Sequence, residues 1–336
     1  MILVTGGTGL LGSHLLYGLV SEGNSVRAIK RKGSDLKNVL KTFSYYSDSA
    51  SDLFKKVDWV EGDILDRGSL EDAFEGITKV YHTAAMVSFI SSQKRKILEN
   101  NINGTANVVN VCLAKNIQKL CHVSSVAALG HSAEDIPVNE DMIWSPSKQL
   151  SYYSVSKFHS EMEVWRGIEE GLNAIIVNPS IIIGPGNWEK STSAIFKAIY
   201  RGLKFYPPGH SGFVDVRDVA KFMVLLMESN ISNERYILNS ENCSFKEVFE
   251  NIALHLGKSL PSIELRPWLG ELAWRAEMLR SLIFRKASKI SKETISAGFN
   301  NVSFSNEKIK KALEINFIPV KESIKNTAGL FLNDLK

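Results

Sequence analysis

Two residues in the middle of the sequence, Tyr153 and Lys157, are spaced so that they could perform acid–base chemistry together. Residues four apart on a helix lie on the same face. A phenol has a pKa of about 10 in water, and a neighbouring ammonium favours its ionised form, so the pair could exchange a proton near neutral pH. About thirty residues earlier, the hydroxyls of Ser124 and Ser125 could donate to a substrate oxygen that gains charge. Either serine could instead only satisfy loop backbone.

A glycine-rich turn near the start of the chain predicts a phosphate-binding site. Ile2–Thr5 is typical of a buried strand, and three glycines three residues apart, Gly6, Gly9 and Gly12, follow it; Gly7 also completes a Gly-x-Gly-x-x-Gly pattern. Small residues allow a tight turn, a close approach of pyrophosphate to the backbone, and close packing of helix on strand. The following helix offers free N–H groups to an anion. The position between a strand and a helix predicts dinucleotide binding.

The elements that must position these residues alternate between strands and helices over the first two thirds of the chain. Apolar runs typical of buried parallel strands are Ile2–Thr5, Ser25–Ile29, Val57–Gly62, Lys79–Ala84, Lys119–Ser124 and Asn173–Asn178. Helical patterns are Leu10–Glu22, Ser69–Glu75, Lys94–Lys115 and Ser151–Glu170. We therefore expect an α/β fold, a Rossmann-type doubly wound parallel sheet. Ligands bind at the carboxyl ends of the strands in such sheets, which is where the paired serines would lie.

The pattern changes after Pro179, where turn signals become frequent. A strand at Phe213–Val216 and a helix at Asp218–Ser229 predict a return to the sheet, followed by a strand at Arg235–Asn239. We expect a dinucleotide-binding domain formed by residues 1–179 and 213–240. Residues 180–212 and 241–336 would form a smaller, mostly helical C-terminal substrate lobe. Within that lobe Arg266–Lys286 is typical of an amphipathic helix. It could form a lid, pack against the rest of the lobe, or lie on a membrane surface.

Composition excludes several classes of protein. The 336 residues carry a formal net charge of +4 with no long block of one sign, which argues against a nucleic-acid binder. Cys112, Cys121 and Cys243 are isolated, and there is no HxH or HExxH, so we expect neither disulfides nor a metal. No signal peptide precedes the first strand and no apolar stretch approaches the roughly 18 residues of a membrane span. We expect a cytoplasmic protein.

With these motifs the chain resembles the extended short-chain dehydrogenase/reductases. This superfamily includes nucleotide-sugar epimerases and dehydratases, dihydroflavonol reductases, cinnamoyl-CoA reductases and 3β-hydroxysteroid dehydrogenases. The dihydroflavonol reductases and 3β-hydroxysteroid dehydrogenases are closest in pattern. The resemblance rests on the segments Thr5–Gly12, Asp63-Ile64, His82–Ala85, Asn101–Thr105 and Phe213–Ala220.

The resemblance implies catalytic roles for four residues. Ser125, Tyr153 and Lys157 correspond to the family's catalytic serine, tyrosine and lysine, and the spacing to Gly130 favours Ser125 over Ser124. Asn101 corresponds to an asparagine that shapes the active site. Asn178-Pro179-Ser180 stands where the family usually has Arg-Pro, so no arginine is expected to act there.

The glycine turn and the resemblance together imply contacts to a nicotinamide cofactor along the whole carboxyl edge of the sheet. The implied residues are Gly6, Gly7, Thr8, Gly9, Leu10, Leu11, Gly12, Lys30, Arg31, Lys37, Asp63, Ile64, Thr83, Ala84, Ala85, Ser124, Tyr153, Lys157, Pro179 and Ser180.

The end of the second strand predicts a preference for NADP(H). NAD enzymes usually place an acid there to bond the ribose 2′-hydroxyl. This strand instead runs into Lys30-Arg31-Lys32, and the first acid is Asp35. A guanidinium binds phosphate through two parallel hydrogen bonds, so Arg31 is the leading contact, with Lys30 or Lys37 adding charge. A plain solvated loop is the alternative, and Asp35 leaves the use of NAD(H) open.

The expected reaction is hydride transfer between nicotinamide and a carbonyl or alcohol carbon of a largely apolar small molecule. The apolar character rests on Trp268, Leu269, Trp274, Leu279 and Phe284 in the expected substrate lobe. One alternative is a nucleotide-sugar epimerase or dehydratase that retains NAD. A second is a non-catalytic cofactor-sensing regulator, which would not need the acid–base pair. A small-molecule substrate is the expected partner, and a homodimer is compatible with the sequence.

Overall fold

The structure is a computed structural model that describes residues 1–87, 93–130, 136–145, 150–271, 274–275 and 292–336. Its strands are β1 (Ile2–Thr5), β2 (Val26–Lys30), β3 (Asp58–Glu61), β4 (Lys79–His82), β5 (Lys119–Val123), β6 (Ala174–Pro179), β7 (Ile181–Ile183), β8 (Phe205–Tyr206), β9 (His210–Asp215), β10 (Glu234–Leu238), β11 (Glu241–Ser244) and β12 (Ile263–Glu264).

Ten α-helices lie between or after these strands along the chain. They are α1 (Leu10–Ser21), α2 (Lys37–Ser44), α3 (Ala50–Lys55), α4 (Arg67–Ala73), α5 (Lys94–Leu98), α6 (Gly104–Ala114), α7 (Tyr152–Glu169), α8 (Ser193–Tyr200), α9 (Val216–Glu228) and α10 (Phe245–His255). Three further helices, Lys292–Ala297, Glu307–Leu313 and Val320–Asn333, lie near the C-terminus. None of the helices within the described ranges is both long and apolar enough to cross a membrane.

Seven parallel strands form the main sheet, in the order β10-β6-β5-β4-β1-β2-β3. The chain moves outward from β1 to β3 and then returns to the other side of β1 as β4. The loops after β1 and β4 therefore leave the sheet in opposite directions and open a crevice between them, which is where such sheets bind ligands. The predicted Rossmann-type sheet is confirmed.

Apolar side chains on both faces of the sheet form two cores. Helices α1 and α9 cover one face, with Leu15, Leu19 and Phe222 fully buried against the strands. Helices α6 and α7 cover the other face, where Val108 and Val164 are among the buried residues. Because each face is covered, the central strands are continuous apolar runs, and every residue of β6 is buried.

One topological prediction is wrong. Phe213–Val216 was expected to return to the main sheet, but β9 is the middle strand of a separate sheet of order β11-β9-β7. Its backbone is paired antiparallel with β11 and in parallel with β7, so no edge remains to join the main sheet. The return is made by α9 and β10 instead, and β10 pairs with β6.

Two further features differ from the sequence-based expectation. Helices α2 and α3 between β2 and β3 were not predicted. The single helix expected over Lys94–Lys115 is divided into α5 and α6 by a π-helical turn at Glu99–Asn103. Most of the amphipathic segment Arg266–Lys286 lies outside the described residues. In its described part, residues 267–271 are helical.

Candidate active site

The glycine turn after β1 is packed too tightly for any side chain. Gly6 has φ +73°, and a Cβ there would lie 2.5 Å from the backbone nitrogen of Ala84, in the loop after β4. A Cβ at Gly12 would lie 2.2 Å from the carbonyl oxygen of Gly6. Glycine at both positions therefore lets the turn close against its own helix and against the neighbouring strand end.

The N-terminus of α1 fits an anionic group. Its N-cap residue is Gly9, which provides no capping side chain, and the first turn contains no acidic residue. Neither a capping side chain nor an acidic residue of this turn therefore satisfies the first-turn N–H groups at the positive end of the helix dipole. These properties match the pyrophosphate of a dinucleotide, for which the predicted residues Gly7, Thr8, Leu10 and Leu11 lie in the same turn.

The predicted ribose-binding loop lies at the end of β2. Lys30 ends the strand with its Nζ 3.8 Å from a carboxylate oxygen of Glu61, and Arg31 is exposed. Within the described ranges Arg31 forms no ion pair. The carboxylate of Asp35 accepts the N–H of Lys37 at 2.9 Å at the start of α2. The first acid after the strand is thus engaged at the start of α2, while Arg31 stays exposed at the loop.

The predicted adenine-side residues follow β3. The Asp63 carboxylate accepts the N–H of Leu65 at 3.0 Å, which closes the turn. Ile64 is buried, and a Cβ on Gly104 would lie 2.5 Å from its side chain, so a glycine at the start of α6 admits this contact. The two predicted residues are thus held on the same edge of the sheet as the glycine turn.

Beyond the crevice, the strand end after β4 is tied to β1. The Thr83 hydroxyl donates to the carbonyl oxygen of Thr5 at 2.7 Å, and the Ala84 N–H lies 3.4 Å from the Thr5 hydroxyl. The predicted residues Ala85, Pro179 and Ser180 also follow carboxyl ends of strands, with the Ser180 N–H bonded to Leu238 O at 3.0 Å. The structure thus brings the predicted cofactor residues to one edge.

Helix α7 positions the predicted acid–base pair. The Ser151 side chain caps the helix by accepting the N–H of Ser154 at 3.0 Å, which sets Tyr153 in the first turn and Lys157 one turn later. Burial raises the pKa of Tyr153, and a hydrogen bond with Ser125 acts in the opposite direction. Tyr153 and Ser125 are therefore in direct contact, as a pair acting on one substrate oxygen must be.

Lys157 is almost wholly enclosed, with 2% of its surface exposed. Its Nζ donates to the carbonyl oxygen of Val123 at 2.7 Å, which places the ammonium at the end of β5. Burial lowers the pKa of Lys157 to about 8, and the charge of Glu161 opposes that change. The Ser124 side chain is also buried there, and its hydroxyl has no hydrogen-bond partner in the described structure. Ser125, not Ser124, contacts the tyrosine.

Asn101 lies in the π-helical turn and is 1% exposed. Its amide accepts the N–H of Met86 at 2.7 Å, donates to the Met86 carbonyl at 3.0 Å, and donates to the Ser156 hydroxyl at 2.9 Å. π-Helical turns widen a helix locally and are common at functional sites. Here the turn directs the asparagine inward, where it joins the loop after β4 to the helix that carries Tyr153.

Comparison with known proteins identifies the family. A family model described as the NAD dependent epimerase/dehydratase family matches residues 2–238. The chain belongs to the NAD-dependent epimerase/dehydratase family. It is an enzyme of the extended short-chain dehydrogenase/reductase type, as its motifs predict.

Proteins named for different activities are similar to this chain. Sterol demethylase protein B of Methylococcus capsulatus is 31% identical, over 80% of this chain and 78% of that protein. A putative dihydroflavonol 4-reductase of Synechocystis sp. is 26% identical, over 98% of this chain and 94% of that protein. A crystal structure of UDP-glucose 4-epimerase from Thermotoga maritima has a TM-score of 0.79 at 20% identity, covering 100% and 99% of the two chains. That last likeness shows the fold alone.

The sequence-based prediction assigned no function to three polar residues near this site, of which two are buried and one, Arg235, is half-buried. Glu161, Asn178 and Arg235 form a hydrogen-bonded group behind Lys157. Only Glu161 has a local signal, because it lies four residues after Lys157 on the same helix. The other two lie on β6 and β10, and nothing in their local sequence indicates the contact.

Proposed function

We propose that this chain is an oxidoreductase that transfers a hydride between NADP(H) and a carbonyl or alcohol carbon of a largely apolar small molecule. The observation that carries the proposal is the arrangement of Ser125, Tyr153 and Lys157 at the carboxyl ends of β5 and the start of α7, on the same edge as the glycine turn. A bound nicotinamide dinucleotide would supply or accept the hydride.

The three side chains divide the remaining chemistry. Tyr153 donates a proton to the carbonyl oxygen in reduction, or accepts one from the alcohol in oxidation. Ser125 steadies that oxygen by a hydrogen bond, and its contact with Tyr153 keeps the two hydroxyls together. Lys157 places a cation behind the phenol and can hold ribose hydroxyls. Asn101, which is enclosed by protein contacts, acts as a positioning residue.

Two observations favour a reductase over a sugar-nucleotide epimerase: the names of its relatives and the aromatic residues of the second lobe. Relatives that align over most of this chain include the putative dihydroflavonol 4-reductase and a cinnamoyl-CoA reductase of Petunia hybrida. Trp268 is 57% exposed in the segment expected to line the substrate lobe, where Leu269 and Trp274 also lie. Leu279 and Phe284, assigned to the same lining, lie outside the described residues.

The test is a ligand screen on the cofactor-loaded enzyme. We expect aromatic ketones and sterols to raise the melting temperature and to cause oxidation of NADPH, because ligands that bind the folded state stabilise it. The Tyr153→Phe variant should still be stabilised by the active ketone but should not turn it over. If UDP- or dTDP-sugars stabilise the enzyme and ketones do not, the epimerase alternative replaces this proposal.

The preference for NADP(H) rests on the exposed Arg31 and on the engagement of Asp35 with Lys37. Hydrogen bonds to charged groups contribute about 1.5–3 kcal/mol, so losing the guanidinium should reduce the NADPH/NADH affinity ratio about 10- to 100-fold. Arg31→Ala is compared by fluorescence titration with Arg201→Ala, an exposed arginine in the 180–212 segment. Tighter binding of NADH by the wild type, or an unchanged ratio in Arg31→Ala, would contradict the assignment.

Three further expectations complete the proposal. The division into residues 1–179 with 213–240 and residues 180–212 with 241–336 would let the second lobe close over the substrate. A homodimer can be checked by light scattering of the purified chain. A cytoplasmic location can be checked by fractionating cells that express the tagged protein.

A further inference from the structure

A buried carboxylate lies one helical turn behind Lys157. Glu161 is 1% exposed, and its two oxygens accept hydrogen bonds from three side chains. Oε2 accepts Nδ2 of Asn178 at 2.8 Å, while Oε1 accepts a guanidinium nitrogen of Arg235 at 3.0 Å and the indole N–H of Trp165 at 3.3 Å. Among the described residues, every side chain that is hydrogen-bonded to this carboxylate is a donor, which suits an ionised carboxylate.

Strand register brings the two distant donors together. Arg235 of β10 is paired with Ile176, and Asn178 of β6 is paired with Ile237, so the two side chains lie on the same face of neighbouring strands. The guanidinium is itself fixed by the carbonyl oxygens of Glu140, at 2.9 Å, and Met142, at 3.3 Å. Glu161 is therefore held in one orientation by the sheet.

The same group is connected to the catalytic serine. Nδ2 of Asn178 also donates to the carbonyl oxygen of Ser125 at 3.0 Å. A single amide thus joins the Glu161 carboxylate to the backbone of the residue that contacts Tyr153. A change at Glu161 would be transmitted to both Lys157 and Ser125.

The charged and titratable groups around Lys157 leave Glu161 as its only anionic neighbour among the described residues. Burial lowers the pKa of Lys157 to about 8, and Glu161 opposes this, although the two form no direct ion pair. From the sheet, the rings of His82 on β4 and His122 on β5 face the same space, and Tyr153 lies on the same helix. Burial lowers the pKa of both histidines, so they add no positive charge near neutral pH.

We propose that Glu161 is a positioning residue of this site, oriented by Arg235 and Asn178, which keeps the Lys157 ammonium charged and holds the Ser125 backbone in place. Its importance for turnover rests on the proposed function, but its effect on Lys157 does not. Without this carboxylate, a lysine as deeply enclosed as Lys157 would lose its proton at a lower pH, and with it the cation behind the phenol.

The direct test is an NMR titration of Lys157 in protein with isotope-labelled lysine, assigned by the signal lost in Lys157→Met. Glu161→Gln should lower the pKa of Lys157 by about one pH unit, because a nearby opposite charge contributes about that much. The matched control is Glu163→Gln on the same helix, which removes a half-buried carboxylate bonded to Arg166 at 2.9 Å. It should leave the titration unchanged.

A second variant covers the case in which Glu161→Gln does not fold because the half-buried guanidinium of Arg235 loses its carboxylate partner. The double variant Glu161→Gln/Arg235→Met removes both charges, and the Lys157 titration should again move to lower pH, since the charge of Glu161, and not that of Arg235, acts on the pKa of Lys157. If a folded Glu161→Gln or double variant titrates like the wild type, or if Glu163→Gln shifts it equally, the proposal is overturned.

Turnover gives an independent readout once a substrate is found. In Glu161→Gln the alkaline limb of the kcat profile should move to lower pH while the KM for cofactor stays nearly constant. Equal loss at every pH would mean that Glu161 only supports packing, and would overturn its electrostatic role. If the wild type reduces no carbonyl compound, the proposed function fails, but the NMR titration still decides whether Glu161 controls Lys157.

Discussion

Three buried histidines should make the stability of this protein fall steeply in mild acid. His82 is fully buried between the hydroxyls of Thr5, at 2.7 Å, and Thr105, at 3.0 Å, and burial lowers its pKa to about 3. His14 is 3% exposed and burial lowers its pKa to about 4. The third, His122, lies with its ring 5.1 Å from that of His82, and burial again lowers its pKa.

The sign follows from the folded pKa values lying below the unfolded value of about 6.5. Each neutral histidine contributes its full stability above that pH and loses it as the pH falls toward the folded value. At about 1.36 kcal/mol per pH unit, His14 and His82 should each cost about 2 kcal/mol between about pH 7 and about pH 5. His122 adds in the same direction. Asp218, whose pKa burial raises to about 6, offsets about 1 kcal/mol of this loss.

The assay is urea unfolding followed by tryptophan fluorescence at the two pH values. His82→Gln keeps a polar side chain but cannot be protonated, so it should lose about 2 kcal/mol less than the wild type on acidification. His159→Gln replaces an exposed histidine and should follow the wild type. If the free energy of unfolding falls by the same amount in the wild type and in His82→Gln between the two pH values, the acid sensitivity does not come from the buried His82 ring.

Three other substitutions test the site and its scaffold. Tyr153→Phe should bind cofactor normally while turnover of an active ketone falls by about 10²–10⁴, and steady-state kinetics with near-normal turnover would exclude Tyr153 as the acid. Gly12→Ala should abolish cofactor binding in a fluorescence titration, because the new Cβ would lie 2.2 Å from the Gly6 oxygen; Gly18→Ala on the same helix meets no atom within 4 Å and should bind normally. Lys119→Met removes hydrogen bonds of 2.7 and 2.9 Å to carbonyl oxygens in and just after the last turn of α9. It should lower the free energy of unfolding by about 1–3 kcal/mol, and an unchanged urea midpoint would contradict this role.

Features with a local physical cause could be predicted from the sequence. The central strands of the main sheet are recognisable because both faces are covered, which requires continuous apolar runs such as Ala174–Val177. Helices α2 and α3 were not predicted, because a serine-rich stretch between them interrupts the helical pattern. The prediction that Phe213–Val216 returns to the main sheet was wrong because the sequence of an apolar strand does not indicate which sheet it joins. Which strands pair depends on the tertiary packing of the whole chain.

The same division holds within the site. The sequence alone determined the glycine turn and the spacing of Tyr153 and Lys157, since steric exclusion in a tight turn and the 3.6-residue helical repeat act over a few neighbouring residues. The resemblance already implied Ser125 and not Ser124, and the tertiary structure shows the contact of Ser125 with Tyr153. What the tertiary structure added lies further apart in the chain. It alone decided that Arg235, 74 residues further along the chain, is the partner of Glu161. Those contacts depend on strand order and register, and burial in the assembled sheet then sets the charge of Lys157 and of the histidines beneath it.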